Sequence, residues 1–154
     1  MAVKAIPEGM HSVTAQLTID GAAEAIALYK TALGAVELMR APDPSGRKIW
    51  HAMLQIGDSP IFVNDAFPEM GSVANKTRLW LYSDDVDAAY KRATVGGMTS
   101  KMPPGDQFWG DRMASVSDPW GNEFTLAQHI KDLSPAELKK AEADFIASMA
   151  NGNR

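Results

Sequence analysis

One order of secondary structure is predicted twice along this chain, and that recurrence constrains the fold more than any other feature. Alternating polar and apolar residues indicate strands, and apolar residues at helical spacing indicate helices. The first unit is a strand, a helix and three strands, predicted over residues 12–19, 22–33, 36–40, 48–56 and 61–64. The second unit follows a linker and has a strand, a helix, a strand and a closing hairpin, predicted over residues 78–82, 86–95 and 98–102 and within 106–129. A long unit that occurs only twice is typical of a duplicated module.

Capping residues mark where the helices begin. Asp20 is predicted to cap the first helix, and Asp84-Asp85 precedes the second. Ser134-Pro135-Ala136-Glu137 contains the serine, proline and glutamate of a helix start, so a C-terminal helix is expected over about residues 134–149. The chain is therefore predicted to be an α+β protein of two βαβββ modules followed by one further helix.

The length and charge of the chain limit what it can be. Its 154 residues suit one domain over residues 1–154, with module 1 over about 10–65 and module 2 over about 76–129. The net charge of −4, with no basic run, disfavours a nucleic-acid partner. No stretch approaches the ~20 apolar residues of a membrane span. Because the sequence has no cysteine and no signal-peptide pattern, we expect a cytoplasmic protein without disulfides or thiolate chemistry.

An aromatic-rich loop, Asp106-Gln107-Phe108-Trp109-Gly110-Asp111-Arg112, precedes the closing hairpin. Phe108 and Trp109 are candidates to stack on a flat ligand, with Arg112 holding an anionic group. In the alternative interpretation, Asp111 and Arg112 form a local ion pair and the aromatic rings cover the mouth of a barrel or a dimer seam. Either role suits a loop, since loops at the surface often carry function.

Strand alternation also predicts which polar residues line a groove. His51 and Gln55 share one face of the third strand, and Glu123 lies on the corresponding face of the last strand. His51 is interpreted either as an acid, base or hydrogen-bonding group for a ligand, or as a strand histidine bonded to a neighbour. Four other residues are interpreted as structural: His11, His129, Trp50 and Trp80. Neither a Gly-rich nucleotide loop nor a Gly-x-Ser-x-Gly elbow is present.

Several motifs also occur in the order of a known family. They are the two βαβββ units, the helix end Tyr29-Lys30-Thr31-Ala32-Leu33-Gly34 and the turn Asp118-Pro119-Trp120-Gly121-Asn122. Together they resemble the vicinal oxygen chelate superfamily, which includes glyoxalase I, extradiol dioxygenases and bleomycin-resistance proteins. The aromatic loop, Ala127-Gln128-His129, and Pro7-Glu8-Gly9 followed by His11 further resemble its PhnB-like bacterial branch. The resemblance covers about residues 5–133 and implies the glyoxalase/bleomycin resistance fold, with curled mixed sheets around a groove and a homodimer that shares the cavity walls.

The resemblance also implies where a metal would bind. Enzymes of that superfamily hold a divalent metal with four side chains, typically His or Gln and Glu, and the metal acts as a Lewis acid. The corresponding positions here are Thr14, Phe62 or Asn64, Thr77 or Arg78, and Thr125. Hydroxyls are poor ligands for a divalent transition metal, and a phenyl ring is none. We therefore expect no metal and no other cofactor, while a displaced site that uses His51 and Glu123 stays an alternative.

These inferences favour a metal-independent protein that binds a planar or aromatic small molecule in the sheet groove. Its predicted ligand-binding residues are His51, Gln55, Phe108, Trp109, Arg112 and Glu123. The alternative is a divalent-metal-dependent lyase, isomerase or dioxygenase with a non-standard ligand set. The sequence assigns no catalytic residue and leaves open a groove filled by its own side chains, in which case the protein would have only an interaction role.

Overall fold

The computed structural model describes residues 3–152, within which it contains eight strands and three α-helices. In module 1, β1, α1, β2, β3 and β4 span Ala15–Ile19, Ala22–Ala32, Val36–Pro42, Ile49–Ile56 and Ser59–Asp65. In module 2, β5, α2, β6, β7 and β8 span Arg78–Tyr82, Val86–Val95, Thr99–Asp106, Asp111–Ser117 and Glu123–His129. A short 3-10 helix, Pro68–Met70, lies in the linker, and α3 spans Pro135–Gly152. The predicted α+β class with two βαβββ modules and a C-terminal helix is confirmed.

Each module forms one four-stranded mixed sheet, and the two sheets have equivalent strand orders. The order is β1-β4-β3-β2 in module 1 and β5-β8-β7-β6 in module 2. The first and last strands of each module pair in parallel, and the other neighbours pair antiparallel. The outermost strands are consequently β1 and β2 in one sheet, and β5 and β6 in the other.

One face of each sheet contributes to a core that is continuous between the modules. Leu54 and Val63 of module 1 are fully buried in this core, as are Val116 and Phe124 of module 2. Tyr29 of α1 meets Phe124 edge-on, with ring centroids 5.4 Å apart, so a residue of one module packs on a residue of the other. The opposite face of each sheet points away from this core, and we call it the open face.

Hydrogen bonds between α1 and the closing turn tie the modules together. The Tyr29 hydroxyl donates to Oδ2 of buried Asp118 at 2.6 Å, and the Asn122 side-chain amide donates to the same oxygen at 2.8 Å. Burial, and then the adjacent carboxylate, raise the pKa of Tyr29, so its hydroxyl keeps the proton that it donates. At Gly96 a Cβ would lie 2.8 Å from the Cα of Ala32, so only glycine allows the ends of α1 and α2 to approach this closely.

The start of α1 differs from the sequence-based prediction. Its N-cap residue is Gly21, with φ 107° and no side-chain cap, so the prediction that Asp20 caps the helix is wrong. Asp65 at the end of β4 supplies the acceptor instead: its Oδ1 accepts from the backbone N–H groups of Gly21 and Ala22, each at 3.0 Å. In module 2 the prediction is confirmed, since the Asp85 side chain accepts from the N–H near the start of α2.

The capping box predicted for α3 is confirmed, and the helix runs three residues beyond its predicted end at 149, to Gly152. Ser134 N–H donates to Glu137 Oε2 at 2.7 Å, and Glu137 N–H donates back to Ser134 Oγ at 3.2 Å. The Phe145 ring packs on Phe108, with centroids 4.9 Å apart. Among the residues described, no helix has the length and apolar character that a bilayer crossing requires.

Candidate functional site

His51 lies on the open face of module 1, as the alternation predicts. It shares that face with Phe62, because His51 and Met53 alternate with core residues along β3 and Met53 pairs with Phe62 across β3 and β4. The His51 ring meets the Phe62 ring edge-on, with centroids 4.6 Å apart. Gln55 lies further along β3 and donates from Nε2 to the carbonyl oxygen of Gly57 in the β3–β4 turn. His51 is therefore half-buried beside an aromatic ring, on a face that a ligand can reach.

Two aromatic side chains of β5 project from the open face of module 2. Leu79 and Leu81 pack against the core, so Trp80 and Tyr82 point the other way, and they are 46% and 61% exposed. Their ring centroids lie 6.4 Å apart. The interpretation of Trp80 as a core residue is wrong, because the leucines of β5 occupy the core side. Trp50, interpreted in the same way, is 49% exposed, so it is not a core residue either.

A buried carboxylate organises the other end of this open face. Asp111 is 4% exposed, and its Oδ2 accepts from the Tyr82 hydroxyl at 2.8 Å and from Trp109 Nε1–H at 3.1 Å. Its Oδ1 lies 2.8 Å from Nδ1 of His129, the residue opposite it across β7 and β8. Nε2 of His129 lies 2.9 Å from Asp132 Oδ1. Strands β5, β7 and β8 are thus joined through one carboxylate.

The hydrogen bonds of this network favour the charged forms of both Asp111 and His129. Hydrogen bonds to Asp132, and then to Asp111, raise the pKa of His129; only the protonated ring can donate from both nitrogens. Burial opposes ionisation of Asp111, but hydrogen bonds from its three donors outweigh burial and lower the pKa of that carboxyl. The alternative in which Asp111 pairs with Arg112 is wrong, since neighbouring residues in β7 project to opposite faces.

The side chains of Phe108 and Arg112 contact other residues of the chain. Phe108 packs on Phe145 of α3 and meets the adjacent Trp109 ring edge-on. Arg112 donates to both oxygens of Asp87, at 2.8 and 3.0 Å, and to Asp106 at 2.7 Å. Hydrogen bonds to these two carboxylates raise the pKa of Arg112, so the guanidinium stays charged and its charge is matched inside the protein.

A cleft of about 680 Å³ lies between the β3–β4 turn and β5. Trp80 and Tyr82 line it from β5, Ile56 and Asp58 line it from module 1, and Asp84 lies just past the end of β5. This volume is within the range of ~300–1,000 Å³ that small-molecule sites occupy. Both modules of one chain therefore contribute walls to a ligand-sized space.

The structure distributes the six predicted ligand-binding residues over several places in one chain. His51 and Gln55 belong to module 1, and Glu123 lies on the open face of module 2, where it is ion-paired with Arg78. The other three contact residues elsewhere in the chain: Phe108 packs on Phe145, Trp109 donates to Asp111, and Arg112 is ion-paired with Asp87. Trp80 and Tyr82 are exposed on the open face but were not among the predicted residues, because the alternation in β5 defines two faces without stating which one meets the core.

The order of elements and the paired sheets can be compared with known proteins. Residues 10–126 match the family model of the Glyoxalase/Bleomycin resistance protein/Dioxygenase superfamily. The chain belongs to this superfamily. A Mycobacterium bovis protein described as uncharacterized is 37% identical over 139 residues, which are 84% of this chain and 91% of that protein.

Solved structures share the fold of this chain. TioX from Micromonospora sp. ML1 is 22% identical, covers 80% of this chain and 100% of its own, and has a TM-score of 0.63. A superfamily member from Sphaerobacter thermophilus is 25% identical, covers 77% of this chain and 97% of its own, and has a TM-score of 0.60. The resemblance inferred from the motifs is confirmed at the level of the superfamily.

The side chains at the positions that correspond to the superfamily's metal ligands do not fit the divalent metal that the resemblance implies. Asn64 uses its carboxamide oxygen to accept from Gln16 and Thr18, at 2.8 and 3.2 Å. Arg78 is a cation, and it is ion-paired with Glu123, a carboxylate on the same face. Thr14 and Thr125 supply only hydroxyls at the remaining positions. Between residues 3 and 152, no three His, Asp or Glu side chains converge as a metal site requires.

Proposed function

We propose that this chain is a metal-independent small-molecule-binding protein of the glyoxalase/bleomycin-resistance type, which holds a planar or aromatic ligand against its sheets. The single observation that carries this proposal is the set of side chains at the positions that correspond to the superfamily's metal ligands: hydroxyls, an amide engaged in two hydrogen bonds, and an arginine ion-paired with a glutamate. Such groups bind organic molecules through hydrogen bonds and ring contacts, but they do not hold a transition metal.

Exposed aromatic rings support a planar ligand. Trp80 and Tyr82 present a broad surface on module 2, and His51 with Phe62 presents a smaller one on module 1. Flat rings prefer offset or edge-on contacts with other rings; the first pair is exposed and the second is half-buried. We retain Glu123 and Gln55 as proposed polar contacts. Ligand contacts of Phe108, Trp109 and Arg112 also stay a prediction.

We also propose a homodimer of the PhnB-like type in the cytoplasm. The edge strand β2 exposes three apolar side chains, and a second copy would cover them. They are Val36, Leu38 and Met39, with exposures of 57%, 51% and 42%.

The mass in solution tests this proposal. Light scattering after gel filtration should give the dimer mass for the parent chain and the monomer mass for Leu38→Lys. Val95→Lys, at an 81% exposed site at the end of α2, is the control that should leave the dimer intact.

Two measurements test the proposed function. Metal analysis of the purified protein should find less than stoichiometric metal, and added Ni²⁺, Zn²⁺, Mn²⁺ or Fe²⁺ should leave the melting temperature unchanged, because only an ion that binds the native state raises it. Screening planar compounds by quenching of tryptophan fluorescence should yield ligands whose binding is weakened in Trp80→Leu and retained in Trp50→Leu.

Different results would favour the alternative function. Stoichiometric metal, together with a metal-dependent rise in melting temperature, would support a metal-dependent lyase, isomerase or dioxygenase with an unusual ligand set. In that case His51→Ala and Glu123→Ala should each release the metal, since these residues form the displaced site considered from the sequence. Failure of every planar compound to bind would contradict the proposed function.

A further inference from the structure

We propose that the cleft between the β3–β4 turn and β5 selects planar organic cations, such as aromatic rings that carry a quaternary or protonated nitrogen. This inference rests on the proposed function, and it adds the charge of the ligand and the place where its ring binds. Three features of the cleft support it: its aromatic wall, the sign of its charges and its size.

The aromatic wall consists of Trp80 and Tyr82, neighbours on one face of β5. Their ring planes are inclined by 37° and their centroids lie 6.4 Å apart, so a single flat molecule can contact both. The faces of indole and phenol rings carry negative electrostatic potential and attract cations, with indole the stronger. The Tyr82 hydroxyl is held by Asp111 at 2.8 Å, which orients that ring without help from a ligand.

The charged residues that line the cleft are acidic. Asp58 lies in the β3–β4 turn and Asp84 follows β5. Within residues 3–152, neither carboxylate is in a salt bridge with lysine or arginine. Arg78 of β5 is ion-paired with Glu123, and Arg92, which lines a neighbouring cleft, donates to carbonyl oxygens at the end of α1. Two unpaired carboxylates beside two aromatic rings complement a cation.

The size of the cleft suits such a ligand. At about 680 Å³ it accommodates a tricyclic ring system, and its apolar lining includes Ile56 and Ile61. Apolar walls remove water from the ring of the ligand, while carboxylates on two sides of the cleft remain near its charge. An anion of the same shape would meet like charges from both walls of the cleft, and a neutral molecule would gain only the ring contacts.

Three probes of one shape and different charge test the inference: N-methylacridinium, acridine at mildly alkaline pH, where it is neutral, and acridine-9-carboxylate. Isothermal titration calorimetry of the full chain should show N-methylacridinium binding at least about tenfold more tightly than the carboxylate, with acridine between them. Asp58→Asn with Asp84→Asn should weaken N-methylacridinium about tenfold and leave acridine unchanged. Trp80→Leu should weaken all probes.

Matched variants control for net charge and for tryptophan loss. Asp20→Asn with Asp144→Asn changes the net charge by the same amount at exposed sites, and Trp50→Leu removes another exposed indole; both should bind all probes as the parent does. Equal affinity for the three probes, or a cation affinity that the Asp58/Asp84 double variant leaves unchanged, overturns the charge selection but leaves the proposed function standing. Binding that survives in Trp80→Leu overturns the location. Absence of binding by every probe overturns this inference, and the wider screen of planar compounds then decides the proposed function.

Discussion

Asp111→Asn tests whether one buried carboxylate holds the open face of module 2 together. The amide has nearly the same shape, and its oxygen can still accept from Tyr82 and Trp109, but as a neutral acceptor. Hydrogen bonds to charged groups contribute ~1.5–3 kcal/mol each, and neutral ones contribute ~0.5–1.5 kcal/mol. Weakening these two bonds should therefore lower the free energy of unfolding by about 2 kcal/mol.

The stability difference between the parent and Asp111→Asn should depend on pH, because folding shifts the pKa values of Asp111 and His129 in opposite directions. The pKa of Asp111 is lowered from its ordinary value of 3.8, so its contribution is present above that pH and is lost as pH falls through the folded-state pKa. The pKa of His129 is raised from 6.5, so its contribution is present below that pH and is lost as pH rises through the folded-state pKa. The stability difference between the parent and Asp111→Asn should be largest between pH 3.8 and 6.5 and smaller on either side.

Urea unfolding followed by circular dichroism across this pH range measures the difference, and an NMR titration of His129 should show a lower pKa in Asp111→Asn. Asp132→Asn is the control: its fully exposed side chain bonds the other ring nitrogen, where water screens the pair, so it should lower the unfolding free energy far less than Asp111→Asn does. A difference for Asp111→Asn below about 0.5 kcal/mol, or one that grows above pH 6.5, would refute the role assigned to this carboxylate.

Four further substitutions test the scaffold. Tyr29→Phe removes the hydroxyl that donates to buried Asp118 at 2.6 Å, so urea unfolding should show a loss of about 1–3 kcal/mol, and an unchanged midpoint would contradict the link between modules. Gly46→Ala should lower the free energy of unfolding by about 1–2 kcal/mol, because φ is +71° and no atom lies near enough to clash with the added Cβ. Gly110→Ala should lower the melting temperature further, because its Cβ would clash with the backbone carbonyl oxygen of Lys131. Ser134→Ala should destabilise the first turn of α3 by about 1 kcal/mol, seen as faster amide exchange there.

Local sequence patterns were sufficient to predict much of the fold. The alternation in β5 gave its bounds, Arg78–Tyr82, and the side chains of Asp85 and Ser134 marked the starts of α2 and α3. Each of these signals lies within a few residues of the structure that it predicts. The cap of α1 had no such signal, because Asp65 reaches Gly21 from a strand more than forty residues further along the chain.

The candidate site was less predictable, because several of its contacts join residues that are far apart along the chain. The hairpin closed by the 118–122 turn brings Asp111 opposite His129, and this pairing follows from counting outward from the turn. The Tyr82 contact does not, because β5 joins β8 in parallel through a long connection. The sequence also predicted Arg112 as an anion contact, but Asp87 of α2 matches its charge once the helix packs on the sheet.

The two βαβββ units, most helix starts and the division of each strand into two faces depend on residues that are neighbours along the chain, so they can be predicted from the sequence. Which face of β5 meets the core, and hence the exposure of Trp80 and Tyr82, is set by the tertiary structure. It also decided which carboxylates are paired with arginine and which line the cleft. Those outcomes depend on strand pairing and helix docking between distant segments, and a local pattern defines two faces without stating which one will be covered.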